Sequence, residues 1–75
     1  MIPIVFQFNG KEYRGDLSPV FGAGEHNHFH LMIDNYYCGR LRFANCEWVF
    51  DSNPLSKGWE RLADYFGEVI QAWYQ

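Results

Sequence analysis

The dipeptide Asn9-Gly10, set between two runs of alternating side chains, constrains this chain more than any other feature. A two-residue hairpin loop of type I′ needs positive φ at both central residues, and Asn-Gly supplies that at low steric cost. The loop fixes a register. Phe8 faces Lys11, Phe6 faces Tyr13, Ile4 faces Gly15 and Ile2 faces Leu17. One face of the hairpin, over residues 3–17, is then apolar and aromatic. The other, carrying Val5, Gln7, Glu12 and Arg14, is mostly polar. A slip of one residue would exchange the faces, so burial and turn chemistry demand the same pairing.

Residues 18–25 read as a connector, because Pro19, Gly22 and Gly24 interrupt any ladder. Val20 and Phe21 are its large apolar groups and are expected to lid the core edge. Alternation resumes at His26. Phe29, Leu31 and Ile33 point one way, and His26, His28, His30 and Met32 the other. Asp34-Asn35-Tyr36 reads as a three-residue loop that sets Ile33 against Tyr37, Leu31 against Gly39 and Phe29 against Leu41. Ala44-Asn45 reads as a two-residue turn. It sets Phe43 against Cys46, Leu41 against Trp48, Gly39 against Phe50 and Arg42 against Glu47. Three strands over residues 26–50 thus share one apolar face, with Cys46 on it.

The last segment, residues 54–74, reads as a helix. Asn53 can cap it and Pro54 suits its first turn, with Ser56 as a rival cap. At 100° per residue, Leu55, Trp59, Leu62, Phe66, Val69, Ile70 and Trp73 fall in one stripe. Gly58 and Gly67 each weaken such a helix by about 1 kcal/mol. Burying the stripe, at about 1.5–3 kcal/mol per large side chain, outweighs that. The fold class is α+β: a five-stranded antiparallel β-meander, with one C-terminal amphipathic helix packed on one face, in a single small domain over residues 1–75.

Composition then narrows function. Aromatic residues make up 20% of the 75 residues. A domain of this size hides only about 60–65% of its unfolded surface, so some of those rings should reach the outside and serve as contacts. The net charge of −3 argues against nucleic acid and against an anionic membrane as partner. No run approaches the roughly 20 apolar residues of a membrane span. The first eight residues carry no positive segment, so no secretory signal is expected there. Cys38 and Cys46 look unpaired on this strand reading, which points to a reducing, cytoplasmic setting.

Two clusters could carry chemistry. His26-x-His28-x-His30 puts three imidazoles on one strand face at about 6.5–7 Å spacing, and Cys38 falls diagonal to His30. A zinc or copper site of His26, His28, His30 and Cys38 is geometrically open. Against it, Arg40 and Arg42 face His30 and His28, and a guanidinium repels a divalent cation. The same side chains make a basic strip that could meet a phosphate or an acidic partner, with Glu47 offsetting Arg42. A Cys38 thiolate beside Arg40 would be a nucleophile. Nothing supplies its base, an oxyanion site or a phosphate loop, and the serines sit in connectors or at a cap. The pattern therefore argues against an enzyme and calls for no cofactor. It points to a non-enzymatic module that binds another protein or a ligand, or a second copy of itself, through exposed aromatics. The candidate binding residues are Tyr36, Tyr65, His26, His28, His30, Arg40 and Arg42.

Overall fold

The computed structural model describes residues 1–20 and 28–75. Phe21, Gly22, Gly24 and His26, which the sequence reading names, lie outside the described residues. The strands are β1 (Ile2–Phe8), β2 (Lys11–Pro19), β3 (His28–Ile33), β4 (Tyr36–Ala44) and β5 (Glu47–Ser52). They form one antiparallel sheet in sequence order, β1-β2-β3-β4-β5. A 3₁₀ turn at Trp59–Leu62 leads into α1 (Ala63–Trp73). The fold is α+β, with five antiparallel strands and one C-terminal helix packed against them.

The three hairpins whose turns lie among the described residues each turn through two residues in the left-handed region. The pairs are Asn9–Gly10 (φ 51° and 78°), Asp34–Asn35 (52° and 68°) and Asn45–Cys46 (53° and 64°). Positive φ at both central positions is the mark of a type I′ turn, whose twist matches that of the strands it joins. The first hairpin has the expected register throughout, from Ile2↔Leu17 to Phe8↔Lys11. Strand β2 continues through Ser18 and Pro19, which the sequence reading assigns to a connector, and pairs them with His30 and Phe29. The first hairpin therefore joins the meander edge to edge.

Two registers differ from expectation. The β3–β4 loop has two residues, so Ile33 faces Tyr36 and Met32 faces Tyr37. Beyond a bulge the expected pairs return, with His30 opposite Arg40, Phe29 opposite Leu41 and His28 opposite Arg42. Cys38 and Gly39 together oppose the single residue Leu31, and Gly39 (φ 127°) takes the backbone strain. In the β4–β5 hairpin the turn is one residue later, so Leu41 faces Phe50, Phe43 faces Trp48 and Arg42 faces Val49. Each partner moves by two residues, which leaves the faces unchanged. Cys46 moves from the core face to the exposed turn tip.

The helix is shorter than residues 54–74. Gly58 adopts φ 95°, so no helix runs through it, and residues 53–58 form turns instead. Leu55 is left exposed, Trp73 also, and the buried face consists of Trp59, Ala63, Phe66, Gly67 and Ile70. Asn53 caps no helix. Its Oδ1 accepts a hydrogen bond from the Leu55 N–H at 2.9 Å, and the fully buried Ser56 Oγ accepts one from the Asn53 N–H at 3.0 Å.

The sheet is curled, and one ring shows it. Phe66 meets Phe6 of β1 at 5.1 Å and Phe50 of β5 at 5.2 Å between centroids. In a flat five-stranded sheet those edge strands would lie roughly 19 Å apart. The helix thus bridges the two edges over a core of Ile2, Ile4, Phe6, Leu17, Phe29, Leu31, Leu41 and Phe50.

Candidate functional site

The polar face of β3 and β4 holds much of the expected strip, with one carboxylate offsetting one of its two guanidinium charges. Arg42 Nε donates to Asp51 Oδ2 at 2.9 Å, and Arg40 Nη2 donates to the same oxygen at 3.4 Å. Asp51, rather than Glu47, is the partner, because the later turn brings Asp51 opposite Arg40. The hydrogen bond from Arg42 holds the Asp51 carboxyl below the usual carboxylate range. The His30 ring packs edge-on against Tyr37 at 4.9 Å.

Cys38 is not on this face. The bulge at Gly39 turns it into the core, where it is 4% exposed. Burial pushes its thiol up and the nearby Asp34 carboxylate adds to that, against a hydrogen bond from the Ile33 backbone. The thiol is therefore neutral at pH 7, and no thiolate forms beside Arg40. Among the described residues no group of three or more His, Cys, Asp or Glu side chains is placed to hold a metal.

Tyr65 is exposed on α1, at 41%. Its hydroxyl donates to the Val5 carbonyl at 2.8 Å, so it fastens α1 to the edge strand β1.

Tyr36 stands at the rim of a feature the sequence reading missed. An apolar notch of about 200 Å³ opens at one end of the curled sheet, lined by Tyr13, Ile33, Asp34, Tyr36, Cys38, Leu55 and Trp59. Three local devices build it. The Asp34–Asn35 turn presents Asp34 and Tyr36, and the bulge places Cys38 on the floor. The connector after β5 brings Leu55 and Trp59 across. It is anchored by Asn53, whose Nδ2 donates to the Tyr37 carbonyl at 2.8 Å. Trp59 is 3% exposed and meets Tyr13 at 4.8 Å with the ring planes inclined at 64°, so the two rings form a corner. Lys11 Nζ lies 5.2 Å from the Tyr13 ring centroid.

The lining residues are scattered over positions 13, 33–38 and 55–59, and the sequence reading gives Leu55 and Trp59 to a helix. The one signal that could have found them is Gly58, read as a chain reversal rather than as a weak helical position. No helix among the described residues is long and apolar enough to cross a membrane. No protein-family model, curated protein or solved structure matches the chain.

Proposed function

We propose that this chain is a non-enzymatic, cytoplasmic binding module that takes one small group of its ligand into the notch. The observation that supports this is a contrast in exposure. Tyr36 and Leu55, 66% and 61% exposed, stand over a buried floor of Ile33, Cys38 and Trp59. Large apolar side chains left in water beside a hollow are the usual sign of a contact surface. Size limits the occupant. Pockets for drug-sized ligands run to about 300–1,000 Å³, so a notch of about 200 Å³ suits a single head group or side-chain tip.

The test is a titration with 3,3-dimethylbutan-1-ol, a soluble tert-butyl probe, followed by two-dimensional NMR. Saturable shifts should centre on Ile33, Cys38, Leu55 and the Trp59 indole, and Leu55→Asp should remove them. Absence of saturation, or shifts centred on His28, His30 and Arg40, would overturn the reading.

A further inference from the structure

We infer that the group the notch takes is a quaternary ammonium, a choline-type head group. This rests on the notch being the binding surface and adds the chemistry of its occupant. Three of its seven described lining residues are aromatic: Tyr13, Tyr36 and Trp59. Aromatic faces carry negative potential, and a cation within about 6 Å of a ring centroid is attracted to it. The Tyr13 ring attracts one cation of the chain itself, the Lys11 ammonium 5.2 Å from its centroid, which a bound ligand cation would have to displace. Trp59 belongs to the buried floor, Tyr13 meets it at an incline with Phe6 stacked on its ring, and Tyr36 is the aromatic side chain exposed at the rim.

Among the described residues of the lining the single charged one is Asp34, a carboxylate at the rim. Its field reaches the floor, where it helps to push up the Cys38 thiol. The whole chain is acidic, with a net charge of −3. An apolar notch with aromatic walls and one carboxylate complements a cation, not an anion.

Hydrogen-bond accounting selects the kind of cation. A primary ammonium brings three N–H donors, and a guanidinium five. Burying them against Ile33, Cys38 and Leu55 would leave most without acceptors, which is unfavourable. A quaternary ammonium carries charge but no N–H. Its methyl groups lose nothing against apolar walls, while the charge still meets the rings and Asp34.

The experiment compares choline with 3,3-dimethylbutan-1-ol, its uncharged isostere, by the same NMR titration. Choline should bind about tenfold more tightly. Asp34→Asn should lower the ratio of choline to alcohol affinity several-fold, whatever it does to the affinity both probes share. Asn tolerates the left-handed turn conformation as Asp does, so the variant should keep its fold. N-acetyl-trimethyllysine amide, run alongside, separates a modified protein side chain from a free small molecule as the source of the group. Equal or tighter binding of the alcohol would overturn the ammonium assignment while leaving the notch as the binding surface. No saturable binding of either probe would overturn both.

Discussion

Gly67→Ala reverses the usual sign of a helix substitution. In an exposed helix interior this change stabilises by about 1 kcal/mol. Gly67 lies inside α1, and a Cβ there would overlap Trp48 Cδ1 and Nε1 and press on Cγ. These are atoms of the ring near its attachment, not the tip of a flexible chain. The indole cannot swing freely either, with Phe43 at 5.0 Å and Phe29 at 6.3 Å. Overpacking of this kind costs about 1–3 kcal/mol. Set against the gain in propensity, this leaves a net loss of up to about 2 kcal/mol. With a urea m-value near 1 kcal/mol/M for so small a domain, the unfolding midpoint should fall by up to roughly 2 M. In a Trp48→Ala background the obstruction is gone, and Gly67→Ala should then stabilise by about 0.5–1 kcal/mol. A Gly67→Ala protein more stable than the parent, or a substitution no more favourable in the Trp48→Ala background than in the parent, would refute the packing of the indole on the helix.

Tyr65→Phe removes the hydroxyl that holds Val5 and should destabilise by about 0.5–1.5 kcal/mol, read by urea unfolding, with 3,3-dimethylbutan-1-ol binding unchanged. Cys46→Gly relieves a left-handed residue at a turn tip and should raise stability by about 0.5–1 kcal/mol. In the parent protein an aromatic disulfide reagent should modify one thiol fast and one slowly, and the fast phase should vanish in Cys46→Gly, because Cys46 is exposed and Cys38 is buried. Asp51 has a carboxyl pKa lower in the folded protein than in the unfolded chain. Its contribution is therefore present above the ordinary carboxylate range and is lost as pH falls through the lowered value. Asp51→Asn should be slightly less stable than the parent at pH 7, and the gap should close on acidification. The pair is half-exposed, so the gap should also shrink in high salt.

The legible parts of the fold were those where two signals agreed. Asn9-Gly10 and the flanking alternation demanded one register, and the hairpin has it. Asp34-Asn35 was harder because it lacks glycine, although both residue types tolerate the left-handed region. Its misreading placed Tyr37 on the core face and Cys38 among the histidines, and a bulge that no local pattern announces reversed both. The β4–β5 turn was shifted by one residue without harm to the apolar face, since a shift of two in pairing preserves side-chain direction. Only Cys46, at the turn itself, changed sides. The helical stripe ran on through Gly58 because Leu55 and Trp59 keep its periodicity, yet φ 95° at that glycine breaks the helix. His28 and His30 stand opposite Arg42 and Arg40 as expected. The notch was illegible because it depends on the sheet curling and on a connector crossing its end, both products of tertiary packing.

The notch exists only if the chain after β5 crosses to the first hairpin and closes the curled sheet. Nuclear Overhauser contacts from the Phe66 ring test this most directly. Phe66 should show cross-peaks to both Phe6 and Phe50, and Trp59 a cross-peak to Tyr13, consistent with centroid separations of 5.1, 5.2 and 4.8 Å. Contacts from Phe66 to Phe50 without Phe6 would describe a helix lying on an open sheet. Trp59 would then have no corner to form with Tyr13, and the account of the binding surface would fail with it.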